Sequence, residues 1–231
     1  MKSLSILIPI YNEEESLQAL FDELKFSFEN NQSIEIIFIN DGSSDMSQKV
    51  IENEIANHST WKLINLYRNY GKSVALQSGI DIASNELIAT LDGDLQDDPK
   101  ELINLVRELN EDDVIVGWKK DRLDPLEKKI ASKIFNFFIK LFSGLKIKDS
   151  NSGIKVLKKE VAKSLNLYGG RHRYIPLLAH QKGFNVKEIP VNHRERKFGK
   201  SKYGAERYKH GFFDFMTILF LGKYMDRPLH F

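Results

Sequence analysis

The sequence predicts an α/β fold, with a mainly parallel central sheet and helices on both faces. Three observations predict it. Apolar runs and helical patterns alternate through the first half, the loops after the apolar runs are polar and mostly charged, and 231 residues with 42% apolar side chains can bury a sizeable core. The runs at 4–10, 34–39, 62–66, 87–91 and 114–117 read as strands, and helical patterns at 14–28, 46–57, 73–83 and 100–109 lie between them. Repeated strand–helix units make neighbouring strands parallel. The second half is less regular: a long amphipathic helix over 125–142, a strand at 153–157, a helix at 174–182, a strand at 185–191, a basic loop over 193–203 and a Phe-rich helix over 205–221. With no repeat, low-complexity tract or linker, residues 1–231 read as one domain with a first half (1–116) and a second half (117–231).

Composition excludes several classes. Near-average usage argues against disorder, collagen and coiled coil. The chain has no Cys, so disulfide scaffolds, zinc–thiolate sites and thiol nucleophiles are out. The apolar stretch after Met1-Lys2-Ser3 is too short for a signal peptide, and no run approaches the ~18 apolar residues of a membrane span. The expectation is a soluble, intracellular protein.

The net charge of +2 conceals an asymmetry. Residues 1–116 carry 8 Lys and Arg against 22 Asp and Glu, a net −14, and residues 117–231 carry 26 against 10, a net +16. Such a basic half suits phosphates, nucleic acid or an anionic membrane, with a solvated basic surface as the plain alternative.

In parallel sheets ligands bind beyond the carboxyl ends of the strands, so those loops are where chemistry is expected. They carry Pro9-Ile10-Tyr11-Asn12-Glu13, Asn40-Asp41-Gly42-Ser43-Ser44-Asp45, Arg68-Asn69-Tyr70-Gly71-Lys72 and Asp92-Gly93-Asp94-Leu95-Gln96. In Asp92-Gly93-Asp94, alternate carboxylates past a strand end can share one hard cation, Mg²⁺ or Mn²⁺, which would bridge a pyrophosphate. A capped turn is the competing account. It explains Asp98, which with Pro99 reads as N-cap and first helical residue, but not Asp92 and Asp94. Asp41 could accept from a nucleobase N–H, although Asp-Gly-Ser is also ordinary turn chemistry and Asp45 or Ser47 could cap the next helix. Neither Arg68–Ser73 nor Gly199-Lys200-Ser201 completes a phosphate-loop motif, and no G-x-G-x-x-G occurs. The loop His193-Arg194-Glu195-Arg196-Lys197-Phe198-Gly199-Lys200-Ser201-Lys202-Tyr203 combines flexible backbone with charged donors, suited to an anion, and Arg171-His172-Arg173 could join it. No recognised nucleic-acid motif is present.

Taken in order, these loops resemble family-2 glycosyltransferases with the GT-A fold, most closely the dolichyl- and polyprenyl-phosphate hexosyltransferases of the dolichyl-phosphate mannosyltransferase type. Gly117-Trp118-Lys119-Lys120-Asp121-Arg122, Asp149-Ser150-Asn151-Ser152-Gly153 and Gly199-Lys200-Ser201-Lys202-Tyr203 extend the match over nearly the whole chain. The resemblance implies inverting transfer of a hexose from a nucleotide sugar to a polyprenyl phosphate. Pro9, Tyr11, Glu13, Asp41, Arg68 and Lys72 would surround the nucleotide, and Asp92 would sit at ribose and pyrophosphate. Asp92, Asp94 and Gln96 would ligate Mg²⁺ or Mn²⁺. Arg122, Lys129 and Ser132 would face the lipid phosphate, while Arg194, Ser201 and Lys202 would hold phosphates from the opposite side. Lys129 stands where relatives often have Arg, and Asp-Gly-Asp replaces the commoner Asp-Ala-Asp. No Q-x-x-R-W segment points to a processive synthase.

The acceptor phosphate is already anionic near pH 7, so alignment and electrostatics matter more than a general base. The Phe-rich stretch 205–221 with Lys209, Lys223 and Arg227 fits either core packing or a membrane surface. Relatives often continue past a segment like Arg227-Pro228-Leu229 into membrane helices, so the expectation is a truncated catalytic domain, peripheral on the cytoplasmic face of a membrane with or without an anchor of such helices, and with a homo-oligomer left open. The rival readings are a non-lipid acceptor, a sugar-nucleotide nucleotidyltransferase, a haloacid-dehalogenase-type phosphatase and a phosphoinositide-binding module. The phosphatase reading wants Thr or Val where Gln96 stands, and the binding module leaves Asp92 and Asp94 without purpose.

Overall fold

The computed structural model describes residues 2–28, 31, 33–119, 140–141, 143–192, 194 and 206–224. The strands are β1 (Leu4–Ile10), β2 (Ile34–Asn40), β3 (Trp61–Asn65), β4 (Leu87–Thr90), β5 (Val114–Lys119), β6 (Lys155–Lys158) and β7 (Val186–Val191). The α-helices are α1 (Glu14–Phe28), α2 (Ser47–Ile55), α3 (Lys72–Ile82), α4 (Glu101–Glu108), α5 (Lys159–Ser164), α6 (Ile175–Gln181) and α7 (Glu206–Tyr224), with a 3₁₀ turn at Arg171–Tyr174.

One sheet holds all these strands in the order β3-β2-β1-β4-β6-β5-β7. β1 pairs in parallel with β2 and β4, and β7 runs parallel to β5. β6 alone runs antiparallel, seated between β4 and β5. The sheet is otherwise parallel and covered on both faces, as in the GT-A fold.

The period-2 geometry of a strand explains the two cores. From β1, Leu4, Ile6, Ile8 and Ile10 pack with Leu17, Phe21 and Leu24 of α1, Ile51 of α2 and Leu102 and Leu105 of α4. Leu7 faces the other way, joining Ile37, Ile39, Leu76 and Ile80 of α3, Val161 of α5 and Leu177 of α6. Each such Leu or Ile contributes about 1.5–3 kcal/mol on burial. From α7, Phe215 and Ile218 enter this second core, whereas Phe213 (67% exposed), Met216 (46%) and Phe220 (45%) face outward.

In the first half the sequence places every element within two residues of its observed bounds. The helix expected over 125–142 falls outside the described residues, apart from 140 and 141. Asp98 does not cap α4 directly, which is a correction. The helix begins at Glu101, and Asp98 instead closes the preceding turn, its Oδ1 accepting the Lys100 N–H at 3.0 Å and its carbonyl the Glu101 N–H at 3.0 Å. Asp45 accepts the N–H of Ser47 at 3.0 Å and that of Glu14 at 3.2 Å, tying the start of α1 to the start of α2.

Candidate active site

The carboxyl ends of β1, β2 and β3 are knitted into one rim. Asn12 lies in the left-handed region (φ 52), its N–H donating to Ser43 Oγ at 3.0 Å and its Oδ1 accepting the Ser44 N–H at 2.7 Å. The Glu13 N–H donates to Ser47 Oγ at 2.9 Å. Gly42 (φ 67) is required twice over: its backbone is left-handed, and a Cβ there would come within 2.3 Å of the Arg68 carbonyl carbon. That close approach lets Asp41, 4% exposed, accept the N–H of Tyr70 at 2.8 Å and of Gly71 at 2.9 Å. Burial raises the Asp41 pKa, and the two amides pull it part of the way back. Pro9 is half-buried and Tyr11 is 37% exposed. Arg68 is exposed, its guanidinium 5.0 Å from the Tyr70 ring centroid.

At the tip of β4 the charges are arranged differently. Asp92 Oδ1 pairs with Lys72 Nζ from the start of α3, and the Asp92 side chain keeps 29% of its exposure. Burial pushes its pKa up, but Lys72, Lys119 and Lys155 outweigh burial and hold it at about 2. The carboxylate rests on Gly153, where a Cβ would stand 2.7 Å from Asp92 Oδ2 and 2.6 Å from Asp97 Oδ2. Only glycine leaves room there for both carboxylates. Beyond it, Asp94 Oδ1 accepts the Gln96 N–H at 3.2 Å across Leu95, which is buried at φ 62. A bulky residue held left-handed costs on the order of 1–3 kcal/mol, and burial of the Leu95 side chain holds this turn.

Beneath the rim lie charges that the sequence reading did not single out. Lys119 Nζ stands 2.9 Å from Asp97 Oδ1, with both residues buried, and its carboxylate neighbours raise its pKa against burial. Lys155 donates to the Ser152 carbonyl, and burial together with Lys72 lowers its pKa to about 8. Glu188 of β7 accepts the N–H of Lys148 at 3.0 Å and of Asp149 at 2.8 Å. The available signal was a lysine terminating each of two strands with apolar interiors, Lys119 at the end of β5 and Lys155 at the start of β6.

Among the other expected site residues, Arg194 is paired with carboxylates. Its guanidinium reaches Glu23 at 2.7 Å and also pairs with Asp98, while its N–H donates to the Gln96 carbonyl at 2.9 Å. Two carboxylates therefore occupy the group expected to hold phosphate. Arg122, Lys129, Ser132, Ser201 and Lys202 lie outside the described residues. Among the described residues no group of three or more His, Cys, Asp or Glu could hold a metal. Asp92 and Asp94, with the amide of Gln96, nevertheless fit a hard cation that takes one or two carboxylates and completes its shell with substrate phosphate and water.

Residues 5–165 match the family described as Glycosyl transferase family 2. Over 235 residues the chain is 35% identical to dodecaprenyl-phosphate galacturonate synthase of Rhizobium johnstonii, covering 99% of this chain and 70% of that protein. It is 36% identical over 224 residues to undecaprenyl-phosphate 4-deoxy-4-formamido-L-arabinose transferase of Yersinia pestis, covering 95% and 68%. Among solved structures, a Pyrobaculum calidifontis mannosyltransferase in complex with GDP-Man and Mn²⁺ superposes with a TM-score of 0.69 at 15% identity, over 94% of this chain and 64% of that one. Glucosyl-3-phosphoglycerate synthase of Mycobacterium tuberculosis gives 0.71 at 15% identity, over 96% and 80%.

Proposed function

The chain belongs to glycosyl transferase family 2, and from that premise we propose that it moves a sugar from a nucleotide sugar to a polyprenyl phosphate, inverting the anomeric carbon. The observation that carries the acceptor class is similarity along nearly the whole chain to two transferases whose names specify a polyprenyl phosphate. The site geometry is consistent with it: one partly open carboxylate, Asp92, set among buried cations at a strand end.

In the reaction an oxygen of the acceptor phosphate attacks the anomeric carbon. The bond from that carbon to the diphosphate breaks, and the departing nucleoside diphosphate takes its electron pair. A divalent cation held by Asp92, Asp94 and Gln96 would neutralise charge on the diphosphate. Lys72 lies beside Asp92 and supplies a second positive charge to the same phosphates. Tyr11 and Arg68 line the nucleotide side of the rim, and Asp41 holds the 68–71 loop beside them. Arg122, Lys129, Ser132, Ser201 and Lys202 belong to the acceptor side in this reading. Gly153 keeps the floor low enough for the Asp92 carboxylate to sit between sheet and substrate.

Among the described residues no helix is long and apolar enough to cross a membrane. The outward Phe213, Met216 and Phe220 of α7 support peripheral seating of α7 in the headgroup layer of a membrane. The decisive assay incubates the full chain with radiolabelled sugar nucleotides, Mg²⁺ or Mn²⁺ and undecaprenyl phosphate. Label passing into the lipid fraction, and abolished by chelator, is the expected result. Label released only as free sugar or as a sugar phosphate would overturn the acceptor assignment.

A further inference from the structure

His172 sits in the 3₁₀ turn Arg171–Tyr174, on a segment bound to three parts of the site. Its backbone N–H donates to Ser73 Oγ at 3.0 Å, and its ring Nδ1 lies 2.9 Å from the same oxygen. Ser150 Oγ donates to the Arg173 carbonyl at 2.9 Å, and the Tyr174 hydroxyl donates to the Gly211 carbonyl of α7. The turn therefore touches the start of α3 next to Lys72, the loop before β6 and the outer helix.

The hydrogen bonds fix the tautomer. Ser73 is completely buried, and among the described residues its hydroxyl has no acceptor other than Nδ1. A buried hydroxyl proton without that acceptor would go unpaired, so it goes to Nδ1, which then carries no hydrogen, while the hydroxyl oxygen accepts from the His172 backbone. The ring proton is then on Nε2. Among the described residues that nitrogen has no hydrogen-bond partner, and His172 is half-buried. Burial, Lys72, Arg173 and Lys155 all hold the imidazole neutral, against the opposing pull of Asp92. The result is an uncharged N–H donor with one unused bond, set among cations suited to an anionic oxygen.

We propose that His172 is a substrate-contacting donor of the transfer site, offering Nε2–H to a phosphate oxygen of the donor diphosphate or the acceptor phosphate, with Ser73 as its positioning residue. The proposal rests on the glycosyltransferase reading for the identity of those phosphates. A neutral donor adds a directed hydrogen bond where a further cation would face repulsion from Lys72 and Lys155.

The test compares the wild-type chain with His172→Phe, His172→Gln and Ser73→Ala. Thermal unfolding establishes that each variant folds, calorimetry measures UDP and GDP binding, and transfer kinetics vary each substrate in turn. Loss of a hydrogen bond to a charged oxygen predicts that His172→Phe loses ~10- to 100-fold in kcat/KM, with Gln, whose amide nitrogen can replace Nε2, recovering most of it. A raised KM for the sugar nucleotide with weaker UDP or GDP binding assigns the oxygen to the donor; a raised KM for undecaprenyl phosphate alone assigns it to the acceptor. Nitrogen NMR of labelled histidine is expected to show one Nε2–H tautomer in wild type and a mixture in Ser73→Ala. A folded His172→Phe chain that transfers like wild type, Gln no better than Phe, or an Nδ1–H tautomer would each overturn the proposal. A wild-type chain with no transfer activity refutes the function reading instead, and the NMR and nucleotide-binding arms still decide the role of His172.

Discussion

Asp41 and Asp92 occupy equivalent places, each just past the carboxyl end of a parallel strand, yet their surroundings differ. Burial alone raises the pKa of both. At Asp41 the response is two backbone N–H groups at 2.8 and 2.9 Å, and the pKa stays raised. At Asp92 it is three lysines, and the pKa falls to about 2. A carboxylate held by main chain shapes a loop, because its partners cannot leave without the loop moving. A carboxylate balanced by a flexible ammonium can exchange that partner for a ligand. The difference teaches that an Asp at a strand tip marks chemistry when its counter-charge is mobile, and architecture when its partner is backbone.

The largest expected effect tests the mobile side. Asp92→Asn and Asp94→Asn should each slow sugar transfer at least ~100-fold, the scale of a lost electrostatic contact in the transition state. Initial rates with saturating substrates check it, and a change of only a few fold would erase the contrast. The next tests the fixed side. Asp41→Ala strands two N–H donors, so it should cost ~1–3 kcal/mol of stability in urea unfolding and weaken UDP or GDP binding in calorimetry through the displaced 68–71 loop. If binding weakens with no stability cost, Asp41 touches the ligand directly instead.

The smallest effect concerns the buried cations. Lys155 titrates at about 8 in the folded chain against 10.5 ordinarily, so the unfolded chain holds that proton more tightly. Its contribution to stability therefore rises between about pH 8 and 10.5, as the buried charge is removed. Urea midpoints of wild type and Lys155→Met, compared at pH 7.5, 9 and 10, should converge or cross in the wild type's favour as pH rises. A gap independent of pH would place the Lys155 charge in contact with water.

Much of this was legible in the sequence, and what was hidden has a physical reason. Strand and helix periodicities gave β1 at Leu4–Ile10 and α1 at Glu14–Phe28 with the observed ends, because apolar spacing directly reflects which face is buried. Periodicity carries no information about partners, so the reversed direction of β6 was not visible. Polar residues at strand ends pointed to Asp41, Asp92 and Lys72, which the structure brings to one rim. The occupation of Arg194 by Glu23 and Asp98 depends on contacts 171 and 96 residues away in sequence, beyond any local pattern. Ser73 and His172 were missed as a pair for the same reason, at a separation of 99 residues.

The reversed strand has a consequence for how such a chain can be divided. β6 is supplied from beyond residue 150, yet it lies between two strands supplied before residue 120. A break anywhere in between leaves the earlier fragment with an unmatched edge on β4 and with β5 deprived of both neighbours, β6 and β7. An open edge of that kind recruits strands from other molecules. The acidic and basic portions are thus woven rather than joined end to end, and neither can be exchanged as a cassette. Variation in substrate among such proteins has to enter through the rim loops, which can change length and composition while the weave stays closed.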